Sequence, residues 1–517
     1  MGSLEPVLLP RFRYGLLANF AGSGWSALMQ LVCVPFYIKF MGIEAFGLIG
    51  FYLMFQAITQ VLDLGLSPTM NREMARYSVQ PEKAAEARDL VRTLEAGYWL
   101  IGVLITLILI GASTWIATHW IKANVLPLHI VREALLLMGI LAFFQWPVSF
   151  YQGGLMGLHR QVLFNIVRIS VVTLNSGGAV LILWLVSPTI QAFLLWQIAV
   201  NAAQAVVLAM LLWKCLPATL RAPRFEFSLV RNIWRFATGV GGITLISLAL
   251  TQIDKVVVSK LLSLTILGYY ILACAASNSL SIIAAVIFNV IFPRMSAQVA
   301  AGDENGLRQS YHTGSQLMAV LVLPLAAVLS FFSFDVLRLW TRNIEAASFA
   351  APVLTILAIG SALNALLFLP YSLQLAFGWT RLSLTAGLIS IVVVIPVIIP
   401  ATMHFGPIGA ASVWVALNIL NMLVAVPIMH KRILRHEAWG YFKDIGLPIL
   451  ATTVTAALAR MALSDLSSSG ATIAALSGVW ICCQIVAILV APLVRSWTLV
   501  QASNFKLLYI KRAGSLG

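Results

Sequence analysis

The chain has 517 residues, of which 60% are hydrophobic and only 10% are charged. This composition is typical of integral membrane proteins and excludes a soluble multidomain enzyme. The formal net charge of +15 would suit a nucleic-acid-binding protein, but the basic residues lie in short connectors between long apolar runs. The five cysteines show neither metal-ligand nor disulfide spacing.

The apolar runs predict membrane-spanning helices. A bilayer requires about 20 apolar residues per helix, and about fourteen such runs follow one another along the chain. The first begins just after "RFRYG" and has no small-residue cleavage site, so it is predicted to be an uncleaved first helix. With the amino terminus in the cytoplasm, most of the 33 lysines and arginines fall on the cytoplasmic side. The positive-inside rule therefore places both termini there.

The first two predicted helices each carry polar residues on one face. The spacing in the first helix is four, three and four, as one side of a helix with 3.6 residues per turn requires. Its polar residues are Asn19, Ser23, Ser26 and Gln30. The second helix continues the pattern with Gln56, Gln60, Asp63 and Ser67, and Asn71 and Arg72 follow at its cytoplasmic end.

A second pair of helices repeats this pattern later in the chain. An offset of 221 residues aligns "YIKFMGIEAFGLIGFY" with "VSKLLSLTILGYYILA" and brings Gly47 onto Gly268. Because six spans separate corresponding points, the two halves have the same orientation, which predicts a parallel repeat. The seventh and eighth helices carry the matching polar residues Thr244, Ser247, Thr251, Asp254, Cys274, Asn278, Ser281 and Asn289.

Polar groups are costly in lipid, so polar residues within spans normally face the bundle interior or a wet cavity. We therefore expect the four polar faces to converge on a central, water-accessible cavity. The alternative is that these side chains only form hydrogen bonds that hold helices together.

Besides Asp63, three further charged residues stand within or beside predicted spans. Asp254 lies on the polar face of the seventh helix, and Lys255 either flanks the cavity or extends toward the far interface. Neighbouring residues on a helix point about 100° apart, so we expect these two not to pair with each other. Arg168 shares one face of the fifth helix with Asn165 and Asn175.

The motifs of several enzyme classes are missing from the sequence. The dipeptide Gly-Lys, which a phosphate-binding P-loop requires, does not occur, and neither does H-E-x-x-H. ATP hydrolysis and zinc chemistry are therefore not expected, and we predict no catalytic residue, metal or cofactor. A secondary transporter or a membrane-embedded scaffold remains.

The segment "LMQLVCVPFYIKFMGIEAFGLIGFYLMFQAITQVLDLGLSPTMNREMARY", residues 28–77, resembles the start of the Wzx-type bacterial polysaccharide flippases. These form the polysaccharide transporter branch of the multidrug/oligosaccharidyl-lipid/polysaccharide (MOP) exporter superfamily. "ITLISLALTQIDKVVVSKLLSLTILGYYILA" and "DVLRLWTRN" are similar to two further parts of that family. The resemblance in pattern covers residues 11–430.

The resemblance implies an all-α integral membrane protein with about fourteen transmembrane helices. Two six-helix lobes, related by the parallel repeat, would surround a central cavity, and two further helices would follow. On this plan, residues 1–213 form the N-terminal lobe, 214–231 a cytoplasmic linker, 232–430 the C-terminal lobe, and 431–517 the last two helices and a tail.

The resemblance also implies an alternating-access transporter that moves undecaprenyl-diphosphate-linked oligosaccharide from the cytoplasmic to the periplasmic leaflet. It places the protein in the bacterial inner membrane, with a polysaccharide polymerase and a chain-length regulator as partners. A multidrug or cation antiporter and a lipid II flippase of the same superfamily are the alternatives, and a membrane-embedded polymerase or ligase is a more distant one. A coupling H⁺ or Na⁺ would bind Asp254 or Asp63.

The cavity residues combine positions assigned by family motif with positions on the polar faces. Cations among them would bind the diphosphate, and hydroxyl and amide groups would bind the sugars. The predicted set is Asn19, Ser23, Ser26, Gln30, Gln56, Gln60, Asp63, Asn71, Arg72, Arg168, Thr251, Asp254, Lys255 and Asn278.

Overall fold

The computed structural model describes residues 5–63, 65–463 and 469–496, without the side chains of residues 5–21, 61, 62, 81 and 229–244. All regular elements in these ranges are helical. The chain divides into two compact units, Met1–Gly268 and Tyr269–Gly517, which we call the first unit and the second unit.

Helices α1 to α9 belong to the first unit. A 3₁₀ segment (Gln60–Asp63) joins α1 to α2, and π-helical segments continue α3 (Ile116–Trp120) and join α6 to α7 (Leu174–Gly178). The helices are α1 (Glu5–Thr59), α2 (Leu66–Tyr77), α3 (Ala84–Trp115), α4 (Leu128–Gln145), α5 (Val148–Gly157), α6 (Gln161–Thr173), α7 (Ala179–Leu185), α8 (Ile190–Cys215) and α9 (Phe227–Leu261).

Helix α10 (Leu264–Ala301) begins in the first unit and continues in the second. The remaining helices belong to the second unit, and a π-helical segment (Asn421–Ala425) joins α14 to α15. They are α11 (Glu304–Phe331), α12 (Ser333–Thr341), α13 (Ile344–Ala376), α14 (Arg381–Leu420), α15 (Val426–Arg432), α16 (Ala438–Ala462) and α17 (Ser469–Val490).

Eleven helical segments of the described chain are long and apolar enough to cross a membrane. Two of them contain a glycine with positive φ, Gly42 (φ 82°) and Gly406 (φ 61°). Glycine adopts this conformation without steric cost, so each long helix is two helices joined at a sharp turn. The all-α membrane class is confirmed, whereas the number fourteen stays a prediction.

Helix α9, predicted to open the second lobe, packs on α1 and α3 within the first unit. Trp120 Nε1 donates to Ser259 Oγ at 3.1 Å, and Lys260 Nζ donates to the carbonyl oxygen of His119 at 2.6 Å. These bonds hold the end of α9 against the end of α3. The predicted lobe and linker boundaries remain predictions.

The two glycines matched by the predicted repeat meet each other. A Cβ atom on Gly47 would lie 2.5 Å from the carbonyl oxygen of Leu264, and one on Gly268 would lie 2.3 Å from that of Ile43. Leu264 follows Ile43 by the same 221 residues that separate Gly268 from Gly47. Such reciprocal contacts between equivalent positions are typical of two-fold-related surfaces and support the internal repeat.

Helices α2 and α5 approach closely because α5 carries glycine at two positions four residues apart. A Cβ atom on Gly153 would lie 2.5 Å from the carbonyl oxygen of Ser67, and one on Gly157 would lie 2.3 Å from that of Asn71. Small residues at this spacing let helix backbones touch in membrane proteins. The contact fixes the start of α2 beside α5, where the cavity described below opens.

Candidate functional site

A polar cavity of about 550 Å³ lies within the first unit. This volume falls in the range of small-molecule sites. Seven carboxamide side chains line it, together with hydroxyl groups, one aspartate and one arginine. The carboxamides are Gln56, Gln60, Gln145, Gln152, Asn175, Asn201 and Gln204.

Irregular backbone on three sides helps to create this hollow. The chain leaves α1 through the 3₁₀ segment and enters α2 after Gly65, which has a φ of 79°. Helix α4 breaks at Trp146 before Pro147, and a π-helical segment carries Asn175. Irregular backbone at membrane depth is tolerated where it lines a wet cavity, and π-helical segments are frequent at functional sites.

Asp63 lines the cavity, but its carboxylate already accepts hydrogen bonds from within the protein. Ser67 Oγ donates to Oδ1 at 2.7 Å, the Ser67 backbone N–H donates to Oδ2 at 3.1 Å, and the Tyr98 hydroxyl also donates to Oδ1. A carboxylate beside the first turn of a helix accepts from N–H groups that have no helical partner. Asp63 therefore holds the start of α2 in place.

Arg168 on α6 is the cation of the cavity. Its Nη1 atom donates to Ser23 Oγ at 3.3 Å, and no carboxylate oxygen of a described residue lies within 4.0 Å of the guanidinium. Charged groups within membrane spans normally have a partner or a function. A guanidinium without a carboxylate partner is suited to bind a carboxylate or phosphate group of a ligand.

Four predicted site residues line this cavity: Gln56, Gln60, Asp63 and Arg168. Ser23 is not part of the lining but contacts Arg168. The remaining predicted residues of the first helix have other surroundings.

Ser26 is buried and donates to the carbonyl oxygen of Gly22 at 2.7 Å, which is a bond within its own helix. Gln30 is exposed. The side chain of Asn19 lies outside the described residues, as does that of Thr244. The prediction that the first helix turns its whole polar face to a cavity thus remains open.

Five further predicted residues lie away from this cavity. Asn71 and Arg72 are exposed on α2, beyond the cavity residues Ser67 and Pro68. Thr251, Asp254 and Lys255 lie on α9 and are not among the lining residues. The fourteenth predicted residue, Asn278, is exposed on α10 in the second unit. A role for these residues in substrate binding stays a prediction.

The expectation that Asp254 and Lys255 do not pair is wrong. Lys255 Nζ lies 3.3 Å from Asp254 Oδ1 and donates to the carbonyl oxygen of Thr251 at 2.8 Å. The reason is that the long, flexible stem of lysine can bend its ammonium back across the helix, although the two Cβ atoms point apart. Each charge thus has an opposite charge beside it.

Four amides of the cavity were not predicted from the sequence: Gln145, Gln152, Asn201 and Gln204. A signal for them exists. Gln145, Ser149 and Gln152 follow at intervals of four and three, and Asn201 precedes Gln204 by three residues. These are spacings of one helix face, so polar faces on the fourth and sixth predicted spans indicate these residues in the sequence.

The fold, the membrane spans and the polar cavity are those of a multi-pass membrane transporter. The lipid II flippase MurJ in an inward closed conformation superposes with a TM-score of 0.67 at 13% identity, covering 94% of this chain and 99% of that one. A multidrug resistance MATE family transporter of the MOP superfamily, in an inward-facing conformation, gives a TM-score of 0.65 at 14% identity, covering 86% and 96%. At these identities, the likeness establishes the fold.

The chain belongs to the family described as "Polysaccharide biosynthesis protein", which matches residues 13–299, more than half of its length. The MatE family also matches residues 242–400. The resemblance to the polysaccharide branch of the MOP superfamily is thereby confirmed.

Two relatives are similar over different extents. A putative O-antigen transporter of Shigella flexneri is 24% identical over 201 residues, which are 39% of this chain and 47% of that protein. The uncharacterized membrane protein EpsK of Bacillus subtilis (strain 168) is 22% identical over 454 residues, which are 85% of this chain and 87% of that protein. The chain therefore matches about half the length of the Shigella relative and most of the Bacillus one.

Proposed function

We propose that this protein is a flippase that moves undecaprenyl-diphosphate-linked oligosaccharide repeat units from the cytoplasmic to the periplasmic leaflet for surface polysaccharide synthesis. The observation that carries the proposal is the cavity between predicted membrane spans, lined by seven amides and by an arginine that has no carboxylate partner among the described residues. Such a cargo has a polar sugar head, an anionic diphosphate and an apolar tail, and the first two of these match the groups in the cavity.

The chemistry divides between two sets of side chains. The guanidinium of Arg168 would bind phosphate oxygens through charge-assisted hydrogen bonds. The amides would exchange hydrogen bonds with sugar hydroxyls, because a carboxamide both donates and accepts. The polyprenyl tail would stay in the bilayer. Alternating access would carry the head group across without exposing it to hydrocarbon.

We place the coupling H⁺ or Na⁺ on Asp254 rather than on Asp63. Both oxygens of Asp63 already accept hydrogen bonds that hold the start of α2. Asp254 is paired with Lys255, so protonating Asp254 would remove that ion pair and release the lysine for an anionic substrate. The protein would act in the bacterial inner membrane with both termini in the cytoplasm, alongside a polysaccharide polymerase and a chain-length regulator.

A deletion strain tests the proposed function. Lipid-linked oligosaccharide in its membranes would be quantified by mass spectrometry, and its leaflet would be determined by access of an added glycosidase in oriented vesicles. We expect complete repeat units to accumulate in the cytoplasmic leaflet and surface polysaccharide to be lost. A normal leaflet distribution with normal surface polysaccharide, in a strain without a redundant transporter, would contradict the proposal.

The cationic groups are tested separately, by the double substitution Arg168→Ala and Lys255→Ala. Export is expected to fall strongly in the double variant, because both side chains are assigned to the anionic part of the cargo. Unchanged export would show that these two cations do not bind it.

A multidrug or cation antiporter is the second candidate, and the match to the MatE family favours it. Its cavity should offer carboxylates to cationic compounds, yet the aspartate of this cavity is occupied by Ser67 and Tyr98. A drug-susceptibility panel on the deletion strain distinguishes the two. The likeness to MurJ keeps a lipid II flippase as a third candidate, for which deletion would be lethal.

A further inference from the structure

We infer that the cavity of the first unit is a sugar-recognition subsite, in which Gln56, Gln60, Gln152 and Gln204 select one or two pyranose residues of the transported head group. The inference rests on the proposed function and specifies which part of the cargo this cavity recognises. It is carried by the hydrogen-bonding state of the amides, the charge of the cavity, its aromatic wall and its volume.

Three of the seven amide side chains already form hydrogen bonds within the protein. Gln145 Oε1 accepts from the Tyr52 hydroxyl, and Asn201 Nδ2 donates to the carbonyl oxygen of Gln197 at 2.7 Å. Asn201 Nδ2 also lies 3.5 Å from Asn175 Oδ1, at the limit of a hydrogen bond. These three side chains shape the wall of the cavity.

The other four amides point to a ligand. The side chains of Gln56, Gln60, Gln152 and Gln204 make no hydrogen bond to any residue that the structure describes, although all four line the cavity. Each carboxamide offers two N–H donors and an oxygen acceptor. Gln60 is exposed and the other three side chains are partly exposed, so all four amides are open to water or to a polar ligand.

The mixture of donors and acceptors indicates the chemistry of that ligand. A phosphate accepts hydrogen bonds, so it would be matched by N–H groups alone, and a metal cation or a protonated amine would be matched by oxygens. Amides present both, and so do sugar hydroxyls. Four such amides around one cavity therefore complement a neutral, hydroxyl-rich ligand better than either kind of ion.

Charge and apolar surface agree with this assignment. Arg168 makes the cavity unsuitable for a cationic ligand, and the occupied carboxylate of Asp63 offers little compensation. Tyr52, Trp146 and Phe164 provide aromatic surface in the lining. Small-molecule sites commonly combine such apolar walls with a few placed polar groups, and the C–H faces of a sugar ring can pack on aromatic rings.

The volume limits how much of the cargo is recognised. The cavity, of about 550 Å³, suits one or two sugar rings and lies within the usual range of small-molecule sites. The subsite would therefore recognise a part of the repeat unit, and its residues would determine which sugars are accepted at that position.

The test uses the full chain in lipid nanodiscs and two probes prepared from the host membranes. One is the extracted lipid-linked oligosaccharide, and the other is the free oligosaccharide released from it by mild acid, which lacks both diphosphate and lipid. Affinities would be measured by saturation-transfer NMR titration. The wild-type protein is expected to bind the free oligosaccharide saturably.

The double substitution Gln152→Met and Gln204→Met removes two amides at nearly constant volume. We expect it to weaken binding of the free oligosaccharide about tenfold, as the loss of two hydrogen-bonding groups implies. Gln191→Met is the matched control, because Gln191 is on the same helix but contacts Glu133 outside the cavity at 3.1 Å. Arg168→Gln is expected to weaken the lipid-linked form more than the free oligosaccharide.

Two results would overturn the inference. One is wild-type affinity of the double methionine variant for the free oligosaccharide, and the other is a wild-type protein that binds the lipid-linked form alone. If the methionine pair does not fold, as judged by thermal unfolding, Gln152→Ala and Gln204→Ala measured singly decide the matter. The leaflet assay in the deletion strain uses none of these variants, so a failure of the proposed function is recognised separately.

Discussion

The two units use equivalent positions in opposite ways. Pro68 and Pro293 are 225 residues apart, four more than the offset of 221, which is about one helical turn. Counted from these prolines, Asp63 corresponds to Phe288 and Ser67 to Phe292. In the first unit, the aspartate and serine hydrogen-bond to each other at 2.7 Å beside the polar cavity. In the second unit, the two phenylalanine rings stack with centroids 5.4 Å apart and planes 5° apart.

Charged groups of the second unit lie nearer to helix ends. His312 Nε2 is 3.0 Å from Glu437 Oε2, and Nδ1 is 2.5 Å from Asp444 Oδ2, which joins α11 to α16. Arg460 near the end of α16 binds Asp335 near the start of α12 at 2.9 Å. In the first unit, polar residues within the spans form a candidate site. In the second unit, these charged residues near helix ends bond one helix to another.

Gly157→Ala should destabilise the protein more than any other substitution considered, through the first unit. Its Cβ atom would lie 2.3 Å from the carbonyl oxygen of Asn71, and neither backbone can yield easily. We expect a loss of about 1–3 kcal/mol, as for overpacking in a core, with a lower melting temperature of the purified protein. Gly97→Ala on α3 is the matched control, because nothing lies within 4 Å of its Cβ position. Equal melting temperatures for the two variants would contradict the close packing of α2 on α5.

His312→Ala should have the next largest effect, in the second unit. It leaves the carboxylates of Asp444 and Glu437 without the ring between them, and we expect a loss of about 1–3 kcal/mol, the cost of unsatisfied polar groups. Arg308 Nε, 3.0 Å from Glu437 Oε1, would compensate in part. Thermal unfolding measures the change, with the exposed His129→Ala as control. A loss no larger than that of the control would show that this group of residues does not fasten the helices.

We also expect the stability contributed by His312 to depend on pH. A neutral imidazole donates from one nitrogen only, whereas the protonated ring donates from both, as two flanking carboxylates require. The stabilisation by His312 should thus be complete at low pH and decline as the ring loses its proton on raising the pH. Melting curves from pH 6 to pH 9 should show a smaller loss in His312→Ala than in the wild type. If the melting temperatures of both proteins changed with pH by the same amount, His312 would not be the source of the pH dependence.

Asp63→Asn tests the support of the cavity wall in the first unit. The variant keeps the shape but removes the negative charge beside the first turn of α2. We expect a loss of about 1 kcal/mol, the order of a charge at a helix amino terminus with its hydrogen bonds. Export should fall with it, because Ser67 would be held less firmly. Full export with unchanged stability would show that Asp63 is not needed there.

Phe288→Leu, at the equivalent position of the second unit, should have the smallest effect. It removes the stacking on Phe292 and on Tyr371, and aromatic pairs contribute about 0.5–1.5 kcal/mol beyond their buried area. We expect a slightly lower melting temperature and unchanged export. A strong export defect in a normally folded Phe288→Leu protein would show that the second unit also contributes to the site.

Residues of the candidate site could be predicted where the spacing of polar residues along a span indicated a polar interior and nothing else. Gln60 and Asp63 stand at helical spacing beside a proline, and Arg168 is a charge inside a span, so each indicated a polar interior. Gln145 and Gln204 belong to shorter polar faces, of three and two residues, and a short polar face in a span is equally expected to bond one helix to another. The pairing of Lys255 with Asp254 escaped prediction because the Cβ direction does not determine where a flexible ammonium lies.

The class of protein follows from the amino-acid sequence alone, because apolar runs of bilayer length leave few alternatives to membrane helices. The sequence also predicts the repeat, which the reciprocal close contacts of Gly47 and Gly268 support. The tertiary structure is needed to show which polar residues share a cavity and which of their amides make no hydrogen bond to a described residue. Those depend on helix breaks and on the approach of α2 to α5, which bring together residues distant in the chain that no local pattern connects.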